Sequence, residues 1–116
     1  AVQAGRPGLP HRRAELLFQR NGGECMNDPL RTLYATVCDR RANPQEGSYT
    51  CYLFDKGIDK ILKKVGEEAT EIVIAAKNPN QEEVKYEISD FLYHMMVLMV
   101  ERGITWEDIT KELSER

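Results

Sequence analysis

Four acidic residues stand out as a possible reaction site. Glu68 and Glu71 are three apart, Glu87 and Asp90 are three apart, and fifteen residues separate the two pairs. Acids at i, i+3 on a helix project to the same side, so two such pairs on neighbouring antiparallel helices can face one another. Converging carboxylates need cations between them, and hard oxygen donors of this type suit Mg²⁺ or Mn²⁺. Mg²⁺ in turn works with phosphate groups: it polarises a phosphoryl oxygen, activates water and steadies a leaving phosphate. Glu67 adds an acid beside the first pair, Lys64 and Lys60 precede it by one and two turns, and His94 follows Asp90 by one turn. Glu67 and Glu71 at i, i+4 repel on a bare helix by about 0.2–0.5 kcal/mol, so something should offset them. The same acids also read as a solvated helix face, and pattern alone leaves both readings open. A di-iron carboxylate site requires Glu-x-x-His on two helices, but Phe91 stands three residues before His94, which disfavours it.

The elements that must position these groups are marked by helix punctuation. Asp28-Pro29 is an N-cap followed by proline at the first helical position, and Leu30, Leu33, Tyr34 and Val37 follow at helical spacing up to Asn43-Pro44. Residues 43–47 form a loop. Ser48 caps a short helix to about Lys56, where Gly57 interrupts. A long helix over 58–77 carries an apolar stripe of Ile58, Ile61, Leu62, Val65, Ala69, Ile72, Val73 and Ala76, with Lys60, Lys64, Glu67, Glu68 and Glu71 on a neighbouring stripe. Asn78-Pro79-Asn80 breaks the chain. Asn80 with Glu83 predicts a capping-box-like start to a helix ending at Arg102 before Gly103. Val84, Ile88, Phe91, Leu92, Met95, Leu98 and Met99 form its apolar stripe, and Met96, Val97 and Val100 make its second half apolar almost all round. Such a helix is buried on several sides, which in so small a domain predicts packing from a second subunit. Thr105 with Asp108 starts a last helix to about Ser114. No strand alternation or internal repeat is present.

Composition narrows the class. The 116 residues fit one small domain with or without a tail, and 41% hydrophobic with 30% charged residues suits a folded, helix-leaning chain. Sixteen basic against nineteen acidic residues leave a net charge of −3, which disfavours phosphate-backbone binding and hence a nucleic-acid partner. Cys25, Cys38 and Cys51 are odd in number without CxxC spacing, which fits inert thiols in a reducing cytoplasm rather than a disulfide scaffold. The most apolar stretch, Phe91–Val100, is about half the ~20 residues of a membrane span, so no membrane partner is expected. Residues 1–25 differ: they hold Pro7, Pro10 and Asn21-Gly22-Gly23, with four arginines and two acids. They read as an N-terminal appendage, upstream-encoded or added, with Met26 as a possible natural start and 26–116 as the folded domain.

The blocks together resemble a known family. Glu68-x-x-Glu71 followed by Glu87-x-x-Asp90 is similar to the signature of the MazG-like all-α nucleotide pyrophosphohydrolases. More narrowly, several blocks in order resemble phosphoribosyl-ATP pyrophosphohydrolases over about 29–116. They are Ser48-Tyr49-Thr50; Lys56-Gly57-Ile58-Asp59-Lys60-Ile61 with Lys63-Lys64-Val65-Gly66-Glu67-Glu68-Ala69-Thr70-Glu71; Ala75-Ala76-Lys77-Asn78; Glu87-x-x-Asp90-x-x-Tyr93-His94; and Gly103-Ile104-x-Trp106-Glu107-Asp108. The resemblance implies an all-α helical bundle completed by dimerisation, with composite sites in a homodimer. It implies hydrolysis of phosphoribosyl-ATP to phosphoribosyl-AMP and pyrophosphate, the second step of histidine biosynthesis. On the resemblance, Glu68, Glu71, Glu87 and Asp90 bind Mg²⁺ (Mn²⁺ as a substitute). Glu67, Glu68 and Glu71 form the catalytic group, with Glu67 an added ligand or water-orienting base. Lys64 and Lys60 neutralise the triphosphate.

Other residues keep two readings. His94 is a partner of the acids, a substrate contact, or a satisfied buried histidine. Ser48, Tyr49 and Thr50 contact the phosphoribosyl part, or are a helix cap with a core tyrosine. Met95, Met96 and Met99 read as packing, and Trp106 as an anchor. Two other functions compete: a related pyrophosphohydrolase clearing noncanonical nucleoside triphosphates, and a helical dimerisation module without catalysis. The Ser48-Tyr49-Thr50 block favours phosphoribosyl-ATP.

Overall fold

The structure, a computed structural model, describes residues 28–116. The expected appendage over 1–25, Cys25 and Met26 lie outside the described residues. Five helices are described: α1 (Pro29–Ala42), α2 (Tyr49–Lys56), α3 (Ile58–Ala76), α4 (Gln81–Arg102) and α5 (Trp106–Ser114). No strand occurs among the described residues. The all-α expectation holds, and no helix described is long and apolar enough to cross a membrane. Two compact units meet in sequence between Tyr52 and Leu53.

In the first unit, the Asp28 carboxylate accepts from the Leu30 N–H at 3.0 Å and Pro29 opens α1. Arg40 and Arg41 in the last turn suit the negative end of the helix dipole. The Ser48 hydroxyl accepts from the Cys51 N–H at 3.2 Å, which starts α2 as its sequence position implies. The Cys51 thiol donates to the Arg40 carbonyl at 3.4 Å, and both Cys38 and Cys51 are free thiols.

In the second unit α3 and α4 pack along one another as an antiparallel hairpin around Lys77–Asn80. Ile61, Ala75, Met96, Val97 and Met99 are buried. Gly103 ends α4 in the left-handed region (φ 74°), with the Ile104 N–H on the Met99 carbonyl at 2.8 Å and the Gly103 N–H on that of Val100 at 3.2 Å. This is a Schellman stop. At α5 the Thr105 hydroxyl accepts from the Asp108 N–H and the Asp108 carboxylate accepts from the Thr105 N–H, a full capping box that starts the helix where Thr105 and Asp108 imply.

One expectation is corrected at the start of α4. Asn80 caps α4 through the Glu82 N–H at 3.0 Å, but Glu83 accepts from the Asn78 side-chain amide at 3.3 Å and does not close a capping box. The four-residue turn brings Asn78 within its reach. The apolar stripe of α3 is only partly covered: Leu62, Val73 and Ala76 are exposed, as is Ile74. A single partner helix covers one side of α3, and the stripe is wider than that side.

Gly57 stands between α2 and α3 at φ 96°, ψ −176°, a conformation open essentially to glycine alone. A Cβ there would meet nothing within 4 Å, so the penalty for Gly57→Ala is purely one of backbone strain. The expected loss is about 1–3 kcal/mol, read as a lower denaturation midpoint with an unchanged slope.

Candidate active site

The turn at Pro79 sets the register of the hairpin. Residues equally distant from it stand level across α3 and α4: Glu71 with Glu87, Glu68 with Asp90, Lys64 with His94, and Ile61 with Val97. The first two levels carry the four acids; the last is apolar and buried.

At the second level the side chains converge. Glu68, Asp90 and His94 each place one potential ligand atom within 4.8 Å of the others. Glu68 is only 7% exposed and His94 3%. Glu68 therefore does not ride on a solvated stripe. It lies in line with Ile61 and Ala75 at seven-residue spacing, on the side of α3 that is buried. Burial pushes the Glu68 carboxyl above its ordinary range, and the hydrogen bond and charge of Asp90 push it the same way, against the pull of His94 and Lys64. A second carboxyl beside Glu68 in a poorly hydrated place raises the cost of charging it. One turn away Glu87 is also raised, by burial first and then by the charges of Glu71, Glu68 and Glu83.

Lys64 is the cation of this face. Its ammonium stands 3.2 Å from Glu67 Oε1 and 3.5 Å from Glu68 Oε2. Burial pulls it down, but the Glu67 hydrogen bond and the charges of Glu68 and Glu67 prevail, and the ammonium is held above its usual value. Glu67 is exposed and lies below the usual carboxylate range, chiefly through the Lys64 hydrogen bond. Lys63 also reaches it, at 3.8 Å. These lysines from the preceding turn offset the Glu67–Glu71 repulsion.

His94 Nδ1 lies 2.9 Å from the Asp90 main-chain oxygen and 3.5 Å from Asp90 Oδ1. Burial holds the ring below its ordinary pKa, against the Asp90 carbonyl and the Glu68 charge. Sequence alone allows His94 as a substrate contact; the geometry puts its ring beside two of the expected metal ligands, and the Asp90–His94 spacing of one turn is the signal for that. Ser48, Tyr49 and Thr50 belong to the first unit, where Ser48 caps α2 and the Tyr49 ring stacks on Tyr52 at 6.0 Å and 23°.

The raised Glu68 makes a signed prediction. Between the carboxyl's unfolded and folded pKa values the metal-free native state holds more protons than the unfolded chain, so this group's contribution to stability falls as pH rises through that window. His94 acts oppositely, since below its ordinary value the unfolded chain takes a proton that the buried ring refuses. Comparing wild type with Glu68→Gln isolates the carboxyl. The variant's stability advantage should widen as pH rises above the ordinary carboxylate range, measured by urea denaturation at a series of pH values.

The second unit is thus a helical hairpin with a buried Glu68 meeting Asp90 beside a lysine. A family profile described as PRA-PH, phosphoribosyl-ATP pyrophosphohydrolase, matches residues 30–116. The chain belongs to the phosphoribosyl-ATP pyrophosphohydrolase family. It is 61% identical over 87 residues to a phosphoribosyl-ATP pyrophosphatase of Limosilactobacillus fermentum, covering 75% of this chain and 82% of that one. It is 59% identical over 87 residues to a phosphoribosyl-ATP pyrophosphatase of Streptococcus thermophilus, covering 75% and 84%. It is 62% identical over 87 residues to the histidine biosynthesis bifunctional protein HisIE of Caldanaerobacter subterraneus subsp. tengcongensis, where 75% of this chain matches 42% of that longer protein.

Proposed function

We propose that the chain hydrolyses phosphoribosyl-ATP to phosphoribosyl-AMP and pyrophosphate, a step of histidine biosynthesis carried out in the cytoplasm, where Cys38 and Cys51 stay reduced. The observation that carries this reading is the buried contact of Glu68 with Asp90 beside Lys64 in a chain of this family. The donor set fits a hard divalent cation: the acids at the two levels are oxygen donors, and their mutual repulsion, which raises Glu68 and Glu87, is what a counter-ion would relieve. Glu68, Glu71, Glu87 and Asp90 would hold Mg²⁺, or Mn²⁺ in its stead. The ion when bound supplies electrophilic polarisation of a phosphoryl oxygen and neutralises the departing pyrophosphate.

The chain's own residues do the rest. Lys64, at the edge of the acids, would offer its ammonium to the triphosphate, and Lys60 would add a second positive charge. Glu67, exposed at the edge of the acids, orients the attacking water by accepting its hydrogen bond. On the family resemblance, Ser48, Tyr49 and Thr50 meet the phosphoribosyl part.

The protein acts as a homodimer in this reading. The exposed Leu62, Val73 and Ile74 of α3 and Ile88 of α4 form apolar surface that a second copy would cover. Val73→Glu should lower the mass in solution by half, measured by sedimentation equilibrium.

The function is tested by comparing pyrophosphate release from phosphoribosyl-ATP with that from dUTP and ITP in the presence of Mg²⁺. The expected kcat/KM favours phosphoribosyl-ATP by about 10⁴-fold, the scale at which a site built to hydrogen-bond a substrate's polar groups rejects analogues that lack them. Equal or better turnover of the free triphosphates would overturn the substrate assignment.

A further inference from the structure

His94 is almost wholly buried, yet it lies among charged groups and is not an apolar packing residue. Its orientation follows from its partners. The Asp90 main-chain oxygen, 2.9 Å from Nδ1, has no proton to give. The hydrogen must therefore sit on Nδ1, and the ring is held as the Nδ1–H tautomer. The same Nδ1 is 3.5 Å from Asp90 Oδ1. The N–H bonds the main-chain oxygen of the residue one turn back, and its positive end lies near that residue's carboxylate as well. An N–H cannot bind a cation, so the ring atom turned toward Asp90 is no ligand; what it can do is fix a ligand's direction.

We propose that His94 is a positioning residue, whose Nδ1–H holds the Asp90 carboxylate in the orientation in which it meets Glu68 and a divalent cation. The proposal rests on the cation reading of the site given above and deepens it. Without that N–H, only the hydrogen bond to Glu68 directs the Asp90 side chain, and the carboxylate turns more freely about its side-chain bonds. Groups that orient a ligand in this way are worth about 10–100-fold in metal affinity.

Asparagine and glutamine separate this role from simple filling of space. The asparagine amide nitrogen occupies the place of histidine Nδ1, and the glutamine amide nitrogen that of Nε2. Mn²⁺ binding to the full chain, without substrate, is measured by electron paramagnetic resonance for wild type, His94→Asn and His94→Gln. Thermal unfolding of each without metal reports on packing. The expected result is near wild-type affinity for His94→Asn and about 10–100-fold weaker binding for His94→Gln, with both variants folded. Retention by glutamine and loss by asparagine would overturn the proposal in favour of Nε2. Equal weakening in both, tracking a common fall in unfolding temperature, would make the ring a packing element only. Unchanged binding in both would overturn it while leaving the cation reading intact. A wild type that binds no Mn²⁺ would remove the cation reading itself and this proposal with it.

Discussion

Asp90→Ala and Glu68→Gln should each lower kcat for pyrophosphate release from phosphoribosyl-ATP by at least about 10²–10³-fold, the range for losing one preorganised charge partner of a reacting group. Glu68 and Asp90 are the acids that the hairpin brings into contact, and Glu68 is shielded from water. Removing one leaves the other with no carboxylate across from it, so the site loses both charge and direction. Glutamine at 68 keeps the size and the ability to donate to Asp90, so the loss would come from charge and not from collapse. Glu82→Gln is the control: Glu82 is exposed on the same helix as Asp90 and pairs with Lys85 at 2.9 Å, and its variant should stay near wild type. Steady-state pyrophosphate release with circular dichroism of each variant checks this. Wild-type rates in Glu68→Gln would detach the acids from the reaction.

Divalent cations should stabilise the wild type strongly and Glu68→Gln hardly at all. A cation that binds only the native state stabilises it by about 2.7 kcal/mol at a hundred times its Kd. A cation held by a carboxyl that is raised toward its neutral form would compete with protons there, so binding should weaken as pH falls into the raised carboxyl range. Glu68→Gln removes the crowded charge and keeps a donor to Asp90. Its metal-free form should therefore be more stable than wild type by about 1 kcal/mol, the usual gain on relieving a strained functional site. Unfolding midpoints with and without Mn²⁺ measure both effects. A variant less stable than wild type without metal, and still stabilised by it, would contradict this account of Glu68.

Much of this is legible in the residues themselves. Asp28-Pro29, Ser48, Gly103 and Thr105 with Asp108 mark helix ends through local hydrogen bonds, and local chemistry reads directly from sequence. The acids are legible as pairs because i, i+3 spacing fixes a common side. What sequence cannot separate is Glu67 from Glu68. Adjacent on a helix, they differ by about 100°, and only the position of α4 decides that Glu68 is buried while Glu67 is exposed. The level pairing of Glu68 with Asp90 depends on the turn folding about Pro79, which spacing alone does not specify. Glu83 departs from expectation because the tight turn offers it a nearer donor in Asn78. Belonging to the family is readable from ordered blocks, because each block states a residue type at a fixed interval whatever its burial.

Product analysis of wild type incubated with phosphoribosyl-ATP and Mg²⁺ tests the central claim most directly. The account predicts phosphoribosyl-AMP and pyrophosphate in equal amounts, with no orthophosphate released by the protein. Unchanged phosphoribosyl-ATP, or orthophosphate with phosphoribosyl-ADP, would contradict it.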